Sequence, residues 1–391
     1  MASVIVVDSE LSDSVKEYAG IIDAANQNTA FTDAVVPFFP TKGSSEPTNR
    51  AELTKTIYDF LTPETYAKLL DKEYEALMNL LIHILINASR DFKLVIDDKN
   101  APIYKLLEAT VPAKQPSLRD RKVLKPTTII SVLNTLFNLL PESLATRVAI
   151  LEYIFTVIDK LRLDFSLFEE NIGHNLVQWL KAAQVPQDEI SRVFWKFIEL
   201  DTKHTVTLLN IIADFSKQFE LDLAQLHSLI DFVLALEVVD VSFLVNQNVA
   251  KAIAANKNDA KVALFDHYVR GEPVQLTPEV VAKSRILQVA KFFSDHPEQV
   301  EYNYSDIPVA QGAELEALLV QAIKAGVIEG KLDQVLEVFF LTRANKFIIA
   351  GTDHTADWAT VKQALSQWKQ ALTGVNEVVK LTRESIVNAN A

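Results

Sequence analysis

Between residues 73 and 294 the chain repeats one pattern, with apolar positions three, four and seven apart, broken every about twenty residues by a few polar residues or a proline. That spacing puts the apolar side chains on one stripe of a helix. Glu73 to Arg90 carries the stripe Leu77, Leu80, Leu81, Ile84 and Leu85. Ile129, Ile130, Leu133, Leu136, Phe137 and Leu140 form the next. Leu144, Val148, Leu151, Phe155 and Ile158 follow after the helix-start signal Pro141-Glu-Ser. Further helices are predicted over Phe168 to Ala183, Gln187 to Leu200, Val206 to Phe219 and Leu223 to Leu236. Helices this short, with connections this short, pair antiparallel. A period of about 35 to 45 residues per pair without a fixed consensus describes an α-solenoid, each helix burying its stripe on its neighbours.

The texture changes after Thr277-Pro278, an N-cap and a first-turn proline, which open a helix running to Ser294. Val300 to Ile307 reads as a short strand and a short helix, and Gly312 to Ala325 as an amphipathic helix closed by Gly326 in the left-handed conformation. Three strand-like runs come next: Val327 to Asp333, Leu336 to Leu341 and Phe347 to Ala350, with Thr342 to Lys346 as the turn between the last two. Helix, short strand, helix and hairpin is the order of a winged helix. Alternation along the middle run sends Val338 and Phe340 to one face and leaves the strand edge open to a partner. A closing helix is predicted from Asp357 to about Leu372, with the residues beyond it polar enough to fray. In it Trp358, Val361 and Leu365 share a stripe expected to seal the helix onto the winged helix. Trp368 lies on an adjoining face and is expected to be partly exposed for partners.

At the other end Ser12 to Ala25 reads as one helix. Asn26 to Arg50, with Pro37, Pro40, Pro47, Gly43, Ser44 and Ser45, reads as an irregular arm whose Val35, Val36, Phe38 and Phe39 must lie along the chain's own domain or a partner. The expected organisation is an arm over 1–50, a helical-repeat domain over 51–277, a winged helix over 278–351, and a C-terminal helix and tail over 352–391.

Composition narrows the chemistry. Nine glycines and fourteen prolines in 391 residues leave little for glycine-built ligand loops, and the absence of cysteine excludes disulfides, thiolate zinc sites and cysteine nucleophiles. The seven histidines include no His-x-His and no His-Glu-x-x-His, so zinc-protease arrangements are missing. His83, inside an apolar helix, reads as a hydrogen-bonded half-buried side chain. Gly326 to Leu332 is one residue short of a phosphate loop and has leucine where a magnesium-binding hydroxyl belongs. The acidic pairs Asp97-Asp98 and Glu169-Glu170 sit by turns and read as solvated surface. No catalytic residue, metal ligand or cofactor is expected. No apolar run reaches the length of a membrane span, and no basic residue precedes Lys16, which argues against a targeting signal and for the cytosol or nucleus.

The net charge of −13 repels nucleic acid and anionic membrane at long range. Within the winged-helix region, Glu301 to Lys369, nine acids outnumber six bases, the wrong sign for DNA binding. The one dense basic segment holds Lys114, Arg119, Arg121, Lys122 and Lys125, opposed in sequence only by Asp120. Such a loop between helices is more often simply solvated; in the other reading Arg119, Arg121, Lys122 and Lys125 contact RNA or an acidic partner, although no aromatic residue interleaves them to stack bases.

Glu314-Leu-Glu-Ala-Leu-Leu-Val-Gln-Ala-Ile-Lys-Ala-Gly-Val-Ile-Glu-Gly-Lys-Leu-Asp-Gln resembles the signature of the PCI-domain family: an acidic helix start, an apolar helix and a Gly-Lys-Ile-Asp-Gln-like start to the wing, with Leu332 in place of isoleucine. Pro116-Ser-Leu-Arg with Val132-Leu-Asn-Thr-Leu-Phe-Asn, then Leu264-Phe-Asp-His, then Trp358 with Leu365-Ser-Gln-Trp-Lys-Gln-Ala-Leu are similar to the branch that serves eukaryotic initiation factor three. The resemblance runs from about Leu53 to Leu372. It implies a mainly α fold, a right-handed helical-repeat solenoid followed by a winged helix and a C-terminal helix. It also implies a non-catalytic scaffold in translation initiation, partnered by other PCI and metalloprotease-like subunits and, peripherally, by the small ribosomal subunit. The signalosome, the proteasome lid and messenger RNA export complexes use the same architecture. Partner contacts would fall on Leu336, Val338 and Phe340 of the wing and on Trp368 of the closing helix, with no membrane and no DNA involved.

Overall fold

In the computed structural model the described residues are 9–40, 46–89, 96–114, 124–202, 205–296, 299–345 and 355–389. The chain is mainly helical and divides into two units, Met1–Val238 and Val239–Ala391.

The first unit contains α1 (Leu11–Asn26), α2 (Ala30–Val35), α3 (Arg50–Asp59), α4 (Pro63–Tyr66), α5 (Asp71–Ser89), α6 (Pro102–Thr110), α7 (Pro126–Leu139), α8 (Leu144–Leu161), α9 (Ser166–Ala182), α10 (Gln187–Glu199), α11 (Val206–Gln218) and α12 (Leu223–Ala235). From α7 onward a helix packs on the next and often on the next but one: α7 on α8, α8 on α9 and α10, α9 on α11, and α10 on α12. Those contacts bury the stripes read from the sequence. Leu133 and Leu136 of α7, Phe155 of α8, Phe194 and Phe197 of α10 and Phe215 of α11 have no exposed surface. Aromatic rings join the layers, Phe155 and Phe165 both against Phe197, and Phe194 stacked on Phe215 with centroids 3.7 Å apart. Asp222 opens α12 with a capping box shared with Gln225.

The stretch expected to be an irregular arm is helical over residues 30–38 and irregular at 46–49. Residues 30–38 form α2 and one 3₁₀ turn, and Phe31 stacks on Phe60 and meets Tyr18 edge-on. Phe31, Val35 and Phe39 are four apart and buried, the spacing of a helix stripe, and this outweighs the turn-forming composition around them.

The second unit contains α13 (Gln247–Ala255), α14 (Ala260–Val269), α15 (Pro278–Asp295), β1 (Glu301–Asn303), α16 (Gly312–Lys324), β2 (Ile328–Asp333), β3 (Val338–Ala344) and α17 (Thr355–Ala389). Side chains of Asn246, Asp259 and Thr277 accept backbone N–H bonds at the starts of α13, α14 and α15. Gly326, at φ +72°, closes α16 with its N–H on Ile323 O and the next N–H on Ala322 O. The three strands form one antiparallel sheet in the order β1-β3-β2. Its core is aromatic, with Phe293 of α15 lying 4.8 Å from Tyr302 and 5.2 Å from Phe339 between ring centroids.

Two expectations are corrected here. The hairpin turns at Gln334–Glu337, because Asp333 Oδ1 accepts the N–H groups of Val335 and Leu336 and Glu337 takes φ +54°. The residues 342–344, read as turn, therefore continue β3, while the run Phe347 to Ala350 lies outside the described residues. The closing helix also does not fray after Leu372. It runs 35 residues to Ala389.

Candidate functional site

The wing residues are set by the register of β3. It is the middle strand: Val338 faces Asn303 on one side and Asp333 on the other, and Phe340 faces Glu301 and Lys331. The strand edge expected to be open is thus occupied on both sides, and among the described residues the outer strands are β1 and β2. Val338 is buried beside Phe339, which has no exposed surface, while Phe340 points outward at 36% exposure. Of the two residues expected to face the core, Val338 does and Phe340 does not, and Phe339 takes a core position against Phe293. Leu336 lies in the turn rather than in a strand, and together with Val335 it is exposed at the hairpin tip.

Gly330 fixes this hairpin. A bulge separates Glu329 and Gly330 in the β2–β3 ladder, and a Cβ at Gly330 would overlap the Phe339 ring and the Phe340 carbonyl oxygen. The Gly-Lys-Leu-Asp segment therefore has a steric reason for its glycine.

In α17 every described side chain is exposed. Trp358, expected to be packed, is 71% exposed, and Trp368 is 65% exposed. Val361 and Leu365 are exposed with them, and so are Leu372, at the expected helix end, and Val375 and Val379, beyond it. The seven positions alternate three and four apart, the 3.5-residue repeat of a helix that seats on another helix. The signal for the last two was present in the sequence, hidden by the polar residues between them.

The basic segment is only partly described. Arg119, Arg121 and Lys122 lie outside the described residues, and Lys114 is exposed. Lys125 is engaged within the chain. Its backbone N–H and the Thr128 hydroxyl donate to Asp71 Oδ1 at 2.8 and 2.7 Å, and its ammonium lies 3.4 Å from Asp71 Oδ2. Burial raises the pKa of Asp71, but the Thr128 hydroxyl and the amide and ammonium of Lys125 outweigh it and hold the carboxyl below its usual range.

Two acidic residues read as solvated are structural. Asp97 accepts the hydroxyls of Ser143 and Thr146, each at 2.6 Å, and anchors the start of α8, while Glu169 accepts the Thr205 hydroxyl at 3.0 Å. His83 is half-buried, with its Nε2 3.0 Å from Asn87 Nδ2, and burial lowers its pKa. Among the described residues no group of histidines and carboxylates could hold a metal ion, and no helix is long and apolar enough to cross a membrane.

No protein-family model matches the chain. It is similar over its full length to proteins named eukaryotic translation initiation factor 3 subunit M: 24% identical to that of Aspergillus terreus across 100% of this chain and 89% of the relative, and 23% identical to that of Emericella nidulans across 100% and 92%. The protein of that name from Yarrowia lipolytica is 26% identical across 67% of this chain and 70% of its own length.

Proposed function

We infer that this chain, a distant and full-length homologue of eukaryotic translation initiation factor 3 subunit M, is a non-catalytic scaffold subunit of that factor. The carrying observation is α17, which holds an apolar stripe of seven residues left exposed by the described part of the chain, as a subunit built for assembly would. In this reading residues 51–277 form a right-handed helical-repeat domain, 278–351 the winged helix of a PCI domain, and 352–391 the assembly helix, with 1–50 as an N-terminal extension. The partners are other subunits of the factor, PCI-type and metalloprotease-like, and the chain works in the cytoplasm, reaching the small ribosomal subunit peripherally. Leu336 and Phe340 at the wing and Trp368 on the closing helix contact those partners, with Val338 supporting them from beneath. Sheet extension to a partner runs through the outer edge of β2. Arg119, Arg121 and Lys122 supply a charge contact to RNA or an acidic subunit.

Affinity purification of the tagged full chain tests the reading. The expected result is recovery of initiation factor 3 subunits, reduced by truncation after residue 354 and by Leu336→Asp with Phe340→Asp. Recovery of signalosome, proteasome-lid or RNA-export subunits instead would reassign the assembly, and recovery of no stable partner would refute the scaffold reading.

A further inference from the structure

A groove of about 450 Å³ runs between α7 and α9, with α8 as its floor, within the size range of ligand sites. Its apolar lining includes Phe137 and Trp179, whose rings lie 4.8 Å apart edge to face. Arg147, rising from α8, is the single charged residue lining it among the described residues. The guanidinium carbon sits 3.9 Å from the Phe137 ring centre and 5.7 Å from that of Trp179, and its Nε is buried without a hydrogen-bond partner. A half-buried cation held by two rings, with no carboxylate beside it among the described residues, is complementary to an anionic group from outside. Burial lowers its pKa, which agrees with that missing partner.

The walls indicate what carries the anion. Asn134 and Asn138 on α7, and Asn171 and Asn175 on α9, line the groove in pairs four residues apart. Asparagine is a poor helix former, so four of them facing one groove run against local preference. The amides of Asn134 and Asn175, one on each wall, offer a donor and an acceptor across the groove, the pair that a peptide unit requires.

We propose that the α7–α9 groove binds an extended acidic peptide segment of a partner protein, with Arg147 pairing with a carboxylate, the amides of Asn134 and Asn175 meeting the peptide main chain, and an apolar side chain seated on Phe137 and Trp179. An RNA strand would meet one cation in a chain of net charge −13, a poor match. The proposal does not depend on which complex the chain joins.

The test is selection of twelve-residue random peptides on the full chain, with affinities measured by fluorescence anisotropy. Selected peptides should share an Asp or Glu next to a Leu or aromatic residue. Replacing that acid with its amide should weaken binding about tenfold, as should Arg147→Met, which keeps the side-chain stem over the rings. The two changes together should weaken binding little more than either alone, since they break the same contact. Asn134→Ala with Asn175→Ala should also weaken binding with the melting temperature unchanged, a readout that stands even if Arg147→Met misfolds. A selection that yields no peptide, a set without carboxylate preference, full binding by Arg147→Met, or displacement by an oligouridine strand overturns it.

Discussion

Gly330 shows how one residue can set a hairpin. Its missing side chain leaves room for the Phe339 ring and the Phe340 carbonyl, so Gly330→Ala should cost about 1 to 3 kcal/mol by overpacking, read as a lower melting temperature. The sequence carried this position as part of a family signature, but only the register of β2 against β3 gives it a cause. Asp71 shows the opposite case, an ordinary acid in the sequence that turns out to join the approach to α7 to the start of α5. Because its folded-state pKa is depressed, the stability it contributes is present above the ordinary carboxylate range and is lost as pH falls through the folded value. Asp71→Asn should therefore be destabilised at neutral pH, and its deficit relative to the wild type should shrink as the pH drops through the acid range. Denaturant titrations at pH 7 and pH 3 would check this, and an equal deficit at both would remove the charge from the account. Neither Asp71 nor its partners were legible beforehand, since residues 54 to 57 apart meet only through the fold.

At the scale of elements, the helices were readable because periodicity is local. The reading places α10, α11, α12 and α16 within one residue of where they lie. The strands were less so. Val338 to Leu341 is apolar throughout, so alternation could not say which residue faces inward, and the answer came from Phe293, which takes Phe339. A middle strand paired on both sides also could not be told from an edge strand, because that depends on the distant residues 301–303. The closing helix gives an element-scale prediction. With their side chains exposed, Trp358→Ala and Trp368→Ala should each leave the stability of the isolated chain within about 0.5 kcal/mol of wild type, while both weaken assembly. A loss of monomer stability in either would mean that the helix packs against its own chain.

On the scale of the whole molecule, the division into two compact units leads to an expectation of two melting transitions. Phe194 belongs to the first core and Phe293 to the second, both buried, and replacement of either by alanine should cost about 3 to 5 kcal/mol. In calorimetry, Phe194→Ala should lower one transition and Phe293→Ala the other. A single transition lowered equally by both would make the chain one cooperative body.

The exposed stripe on α17 also has a consequence for the chain's life in a cell. A helix of about 52 Å with tryptophan, leucine and valine along one side is the kind of surface that chaperones and degradation enzymes recognise on a subunit made in excess. Occupied, it is silent; unoccupied, it marks the molecule as an orphan. The amount of this protein should then follow the supply of its partners rather than its own rate of synthesis, and a copy lacking residues 355–389 should outlive the full chain whenever partners run short. Pulse-chase turnover of the two forms, with and without partner depletion, would show whether the same surface that builds the complex also sets its stoichiometry.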